Sequence, residues 1–236
     1  MKAVILAAGR GKRMLHLTED TPKPMLQVAG KTLLEHKIAM MPDEIDEIIL
    51  VIEYQGDLIE SYFGDSYNGR RITYVRQGNL AGTGASLWAA REHLTERFLV
   101  MMGDDIYCRR DMEELLRYDW AMGVATLPYL ERGGRVVLTD DGTLADIIEG
   151  THEVENGTVN IGMFVLQPDI FSYDLVQLPG KDEYGLPQTL LSAVKDGHQV
   201  TLVESQFWMQ MTSPEDIEKA EQFFSSDNLS SKAYRT

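Results

Sequence analysis

Short apolar runs alternate with amphipathic stretches through the first half of the chain. The runs at residues 2–6, 47–52, 72–76 and 98–102 are apolar on both alternations, as in strands buried on two faces. Between them, residues 32–41, 55–63, 81–93 and 110–118 carry apolar side chains at helical spacing. Strand and helix in strict alternation predict a mainly parallel sheet with helical crossovers. The second half changes character. Strands are expected at 122–127, 135–138, 144–148 and 160–166, with turn signals at Asp141-Gly142 and Asn156-Gly157. A helix is expected over 187–195, stopping near Gly197. A last helix follows Ser213 as N-cap, with Pro214 in its first turn and Glu215 and Asp216 at the positive end of its dipole. Residues 226–236 form a polar tail expected to fray.

In such sheets ligands gather at the carboxyl ends of strands. The first strand empties into Leu6-Ala7-Ala8-Gly9-Arg10-Gly11-Lys12-Arg13-Met14, a glycine-rich loop with three cations. Glycines let backbone N–H groups approach an anion, and the cations add full charges suited to phosphate. Two common phosphate motifs fail here. A dinucleotide fingerprint needs glycine where Met14 stands, and a Walker loop ending in Gly30-Lys31-Thr32 needs glycine where Met25 stands. A second basic segment, Thr21-Pro22-Lys23-Pro24-Met25-Leu26, carries two prolines that stiffen an extended path and hold Lys23.

Charge sharpens this reading. The chain of 236 residues has a formal net charge of −15, which argues against nucleic-acid binding. Against that background, Arg10, Lys12, Arg13, Lys23 and Lys31 form a local concentration of positive charge. With 44% hydrophobic and 25% charged residues, the composition is that of a globular domain. It holds no apolar run long enough to span a bilayer. A strand begins at once after Met1, leaving no room for a signal peptide, and the lone Cys108 fits a reducing, cytoplasmic setting. The five histidines show neither metal-ligand spacing nor a nucleophile–base arrangement, so zinc and triad chemistry are not expected.

The glycine-rich loop ending in arginine, followed by Pro22-Lys23-Pro24, resembles the signature of the sugar-1-phosphate nucleotidyltransferases. The resemblance extends over most of the chain. Gln77 with Gly82-Thr83 is similar to the family's base-reading segment, and Gly103-Asp104 to its metal-binding step. Glu149 and Asn160-Ile161-Gly162 resemble its sugar contacts, and Trp208 through Asp216 its closing Trp-x-Asp motif. The resemblance implies an α/β fold: a Rossmann-like, mixed but mainly parallel sheet flanked by helices, of the nucleotide-diphospho-sugar transferase type. One domain over residues 1–225 is expected, with a nucleotide-binding part at about 1–118 and a sugar-binding part at about 119–225.

The reaction so implied is attack by a sugar-1-phosphate oxygen on the α-phosphorus of a nucleoside triphosphate, releasing pyrophosphate. It needs two polyanions aligned and charge stabilised at the reacting centre, hence protein cations and Mg²⁺. The expected catalytic set is Arg13, Lys23 and Asp104. Arg13 would hold the triphosphate together with Leu6, Ala8, Gly9 and Gly11. Lys23 would touch the α-phosphate and the acceptor phosphate, and Asp104 would bind Mg²⁺. Gln77, Gly82 and Thr83 would read the base, and the Gln77 amide suits the imide edge of uracil or thymine, favouring UTP or dTTP. Gly134, Glu149, Asn160 and Gly162 would hold the sugar. Other readings stay open at several of these positions. Asp104 also suits a helix N-cap or turn, Gln77 the end of an edge strand, and Gly82-Thr83 the cap of the next helix. Asp105 stands where relatives vary and is given no role.

Two departures from the family stand out. Gln210 replaces the closing aspartate, a second metal ligand, with a longer neutral amide. Gly150 replaces a lysine that follows the sugar-binding glutamate in many relatives. They keep a second hypothesis alive, that of a catalytically weakened nucleotide- or nucleotide-sugar-binding partner subunit. A cytidylyltransferase acting on an alcohol phosphate is a third. Nucleic-acid and membrane partners are not expected, and homo-oligomerisation is left open.

Overall fold

The computed structural model describes residues 1–225; the polar tail expected at 226–236 lies outside the described residues. Eight strands form one sheet in the order Thr201–Glu204, Ala121–Leu138, Leu144–Leu166, Phe98–Met102, Lys2–Leu6, Glu47–Ile52, Arg70–Arg76, Ser66–Tyr67. Lys2–Leu6 pairs in parallel with both Phe98–Met102 and Glu47–Ile52, and Glu47–Ile52 in parallel with Arg70–Arg76. Leu144–Leu166 is antiparallel to Phe98–Met102, so the sheet is mixed, as the family resemblance implied.

Alternation along these strands builds a core on each face. Ala3, Ile5, Leu50, Leu99 and Met101 pack on one side, and Val4, Val51, Phe98 and Val100 on the other; all are fully buried. Burial on both faces is what the continuous apolar runs required. Helix Leu33–Met40 starts at a capping box: Thr32 Oγ1 accepts from the Glu35 N–H at 3.1 Å, and Glu35 accepts from the Thr32 N–H at 2.7 Å. The last helix, Pro214–Ser225, is capped by Asp216, which accepts from the Thr212 and Ser213 N–H groups at 2.8 and 2.9 Å. That helix closes a third apolar cluster holding Met14, Leu26, Leu33, Met211 and Phe224, directly under the glycine-rich loop.

The second half differs from expectation. Residues 122–127 and 135–138 belong to one strand, Ala121–Leu138, and 144–148 and 160–166 to another, Leu144–Leu166. The turn at Asp141-Gly142 exists: the Gly142 N–H donates to Thr139 O at 3.0 Å, and Gly142 has φ +81°. The one at Asn156-Gly157 does not. The ladder runs through it in unbroken register, with Glu155 opposite Tyr129 and Gly157 opposite Leu127, although Asn156 has φ +51°. The long hairpin coils enough for Val159 to pair with Arg135 as well as Ala125, bringing residues 134–135 next to 159–160. Strand Thr201–Glu204 gave no sequence signal; it is short and joins the sheet only at its edge. The prolines around Lys23 do not hold an extended path throughout: Pro22 is extended, but Lys23–Met25 forms one tight 3₁₀ turn.

Candidate active site

Strands Lys2–Leu6 and Phe98–Met102 end in register, Leu6 opposite Met102, so the segments leaving them start side by side. The Gly103 N–H donates to Leu6 O at 2.9 Å, and a Cβ at Gly103 would sit 2.9 Å from the same oxygen. Only glycine lets the two chains leave the sheet this closely. Leu6 and Ala8 are buried at the root of the loop, while Gly9, Arg10, Lys12 and Arg13 are exposed on it. Met14 is fully buried and the Thr18 hydroxyl donates to Gly11 O at 3.0 Å, which anchors the loop from below. Arg10 lies 4.8 Å over the Tyr54 ring, so of the three loop cations it is already engaged.

Gly11 has φ +63°, and a Cβ there would meet Lys23 Cβ at 2.8 Å. The loop thus lies directly against Lys23. That side chain is 8% exposed, and its Nζ donates to Asp104 Oδ2 at 2.6 Å. Asp104 is 36% exposed, so the pair sits at the mouth of the strand ends rather than in the core. Burial pushes the Asp104 carboxyl up, but the Lys23 ammonium, by charge and by hydrogen bond, holds it below its usual value. The structure therefore brings Leu6, Ala8, Gly11, Lys23 and Asp104 together. Arg13 is on the same loop and exposed, and among the described residues it makes no hydrogen bond or ion pair with Lys23 or Asp104.

Gln77 and Gly82-Thr83 are adjacent in space through Ser86, whose hydroxyl donates to Gln77 Oε1 at 2.7 Å and to Gly82 O at 3.0 Å. Gln77 Nε2 donates to Leu80 O at 2.6 Å, so one donor of this amide is engaged by its own loop and its oxygen by the helix residue Ser86. Gly82 caps helix Thr83–Ala89 with φ +101°, and a Cβ there would run into the Tyr184 backbone. Thr83 Oγ1 accepts from the Leu186 N–H at 3.0 Å. These two residues thus join the first half of the chain to segment 184–186.

Gly134 and Glu149 face each other in the ladder, and a Cβ at Gly134 would sit 2.8 Å from Glu149 Oε1. Asn160 Oδ1 accepts from the Gly162 N–H at 2.9 Å, and Gly162, at φ +74°, lies against Met102. The four sugar candidates form two pairs, and the Val159–Arg135 pairing brings those pairs close. Gly150 is exposed with φ +146°, a conformation that a lysine would adopt only under strain.

Sequence reasoning missed the buried layer beneath Asp104. Asp105 is 7% exposed; its Oδ2 accepts from Trp208 Nε1 at 3.0 Å and its Oδ1 from the Met211 N–H at 3.1 Å. Burial and the neighbouring Asp104 charge push the Asp105 carboxyl up. Lys37, fully buried, donates to the Asp105 carbonyl and lies 4.7 Å over the Tyr107 ring; its own burial pulls its pKa down. The Tyr107 hydroxyl donates to Ile161 O at 2.9 Å, between Asn160 and Gly162. Trp208–Met209 pairs with Ile106–Tyr107, and Gln210 is exposed beyond that pair. The visible signal in the sequence was a lysine inside an otherwise apolar helix face and a doubled aspartate after a strand.

Residues 2–227 match the family model described as nucleotidyl transferase. The chain belongs to the nucleotidyl transferase family. Among curated relatives, it is 32% identical over 234 residues to the UTP–glucose-1-phosphate uridylyltransferase AglF of Haloferax volcanii, covering 94% of this chain and 96% of that protein. It is 31% identical over 224 residues to the bifunctional protein GlmU of Methanocaldococcus jannaschii, covering 94% of this chain but 54% of the relative. The chain thus spans about half the length of that GlmU relative. The fold matches a Bacillus anthracis protein crystallised with sucrose, at TM-score 0.82 and 22% identity over 97% of each chain. It also matches the inositol-1-phosphate CTP transferase of T. maritima, at TM-score 0.75 and 21% identity over 94% of this chain and 96% of that one. Among the described residues no helix of this nucleotidyl transferase is long and apolar enough to cross a membrane.

Proposed function

We propose that this chain transfers a nucleotidyl group from UTP or dTTP to a sugar-1-phosphate, releasing pyrophosphate. The observation that carries this reading is the Lys23–Asp104 pair, 2.6 Å apart at the joined ends of two parallel strands and in contact with the glycine-rich loop. The acceptor phosphate oxygen forms a bond to the α-phosphorus as the bond to the β-phosphate bridge breaks, and the electron pair leaves on pyrophosphate. The loop N–H groups at Gly9 and Gly11 and the Arg13 guanidinium would hold the β- and γ-phosphates. Lys23, held by Asp104 at 2.6 Å, would stabilise charge on the α-phosphate and orient the acceptor.

The donor set fits a hard cation. Asp104 offers a carboxylate with one oxygen outside the Lys23 bond, and Gln210 offers an exposed amide oxygen. Both Asp105 oxygens already carry protein donors. Bound there, Mg²⁺ would draw charge from the phosphate oxygens and make pyrophosphate a better leaving group. On the sugar side, Glu149 and Asn160, with Gly134 and Gly162 giving backbone room, would hydrogen-bond the hydroxyls.

A second reading is favoured by Gln77, whose amide already donates to Leu80 O and accepts from Ser86, leaving less of it for an imide edge. A cytidylyltransferase acting on an alcohol phosphate accommodates this, and the T. maritima likeness is to a CTP transferase. Measuring pyrophosphate release from UTP, dTTP, CTP and GTP against sugar-1-phosphates and inositol-1-phosphate, with Lys23→Met as control, separates the readings. Turnover with CTP and inositol-1-phosphate alone would replace the first reading by the second. Nucleotide binding without turnover on any pair would leave the weakened partner subunit.

A further inference from the structure

We propose that Asp105 is a positioning residue that clamps segment 208–211, and with it Gln210, against the Asp104 end of the site. This rests on the reading above and adds to it a residue that does not itself touch substrate. A buried carboxylate is costly unless its oxygens receive donors. Asp105 receives two, and they come from Trp208 and Met211, which are 103 and 106 positions away in sequence. The two donors flank Gln210. They fix the chain on both sides of it while leaving its side chain exposed.

Three further contacts make the clamp rigid. The Asp105 carbonyl is held by the buried Lys37 ammonium. Ile106–Tyr107 pairs antiparallel with Trp208–Met209. The Tyr107 hydroxyl donates to Ile161 O at 2.9 Å, tying the same turn to segment 160–162. Residues 105–107 therefore join the Asp104 end, the segment carrying Gln210 and the segment expected to hold the acceptor. If only the fold were at stake, an apolar side chain of similar volume would serve a buried position at least as well. A carboxylate bonded to an indole N–H and a backbone N–H fixes direction as well as packing. Residues 103–105 form a bend between two strands, and across it Asp104 reaches Lys23 while Asp105 reaches segment 208–211.

The test uses the intact chain with Asp105→Asn, and Trp208→Phe, which keeps an aromatic side chain but removes the indole N–H along with the pyrrole part of the ring. The first readout needs no turnover: amide hydrogen exchange across segment 208–211, with strand Phe98–Met102 as internal reference. Loss of protection at Met211 in Asp105→Asn, with the reference strand unchanged, is the expected result. The second readout is kinetic. kcat should fall roughly 10–100-fold, the range seen for partners that orient a ligand-bearing group, with KM for the nucleotide little changed. Gln210→Ala should then cost less in the Asp105→Asn background than alone. Unchanged protection at Met211, or fully additive losses for the double variant, overturns the proposal. If Asp105→Asn does not fold, Trp208→Phe carries the same two readouts. If the wild-type chain turns over no substrate pair, the proposed function fails while hydrogen exchange still decides the clamp.

Discussion

Gly11→Ala tests the contact on which the site depends, because two separate penalties converge there. Gly11 has φ +63°, in the left-handed region, where an alanine costs about 1–2 kcal/mol. The added Cβ would also lie 2.8 Å from Lys23 Cβ, with Cδ and Cγ at 3.2 and 3.3 Å, and overpacking of this kind costs about 1–3 kcal/mol. Borne wholly by the fold, the two sum to about 2–5 kcal/mol. At about 2–4 °C per kcal/mol for a domain of this size, Tm would fall by about 4–20 °C.

The loop has another way out. It is exposed at Lys12 and Arg13, so it can swing outward and carry the strain away from the core. Lys23 or the loop then moves, the Nζ–Asp104 contact lengthens, and catalysis falls instead of stability. The two losses are therefore complementary: a small Tm change should accompany a large drop in kcat/KM, and conversely. Thermal unfolding and initial rates on the same preparation check this, with Gly9→Ala as the stability control because a Cβ there meets nothing within 4 Å and its φ is not positive. A Gly11→Ala protein with wild-type Tm and wild-type kcat/KM would refute the reasoning.

Arg13→Ala should retain the fold, since the side chain is exposed, and lose about 2–4 kcal/mol of transition-state stabilisation in kcat/KM; an unchanged value rules out a phosphate role. Asp104→Asn removes both the Lys23 ion pair and the carboxylate offered to Mg²⁺, so turnover and its response to added Mg²⁺ should vanish together. Activity that survives a chelator in the wild type would contradict the metal assignment. Gly150→Lys restores the residue that many relatives carry, yet φ +146° makes any side chain there cost about 1–3 kcal/mol. A lower Tm without a gain in kcat/KM is expected, and improved turnover at unchanged Tm would show that the backbone adapts freely.

The parallel half of the sheet was legible because its signal is local and redundant. Ile5 and Val4 are buried on opposite faces, so every position in such a strand must be apolar, and the run stands out from the amphipathic stretches beside it. The long hairpin was not legible, and Asn156 shows why. Asn-Gly is the strongest short-range turn signal because both residues tolerate positive φ. Here Asn156 takes its positive φ inside a continuous ladder, and only the pairing of Gly157 with Leu127 distinguishes this from a turn. Strand Thr201–Glu204 exists because the edge of Ala121–Leu138 offers it a partner, which its own four residues do not announce.

At the site, residues whose role is fixed by backbone chemistry were legible and those fixed by distant partners were not. Gly11 and Lys23 could be singled out from a glycine loop and a Pro-Lys-Pro segment, although their mutual contact could not. Asp105 gave no such cue, because a doubled aspartate after a strand is equally a solvated turn. Its burial follows from Trp208, Met211 and Lys37, contributed by two other parts of the chain. The Lys23–Asp104 pair also gives a chemical reason for placing opposite charges together. Burial alone would push the Asp104 carboxyl up, and the Lys23 ammonium beside it holds it below its usual value. In the proposed reaction phosphate oxygens would pair with Lys23 and Asp104 would serve a bound cation, so each charge would keep a counter-charge when substrate is bound.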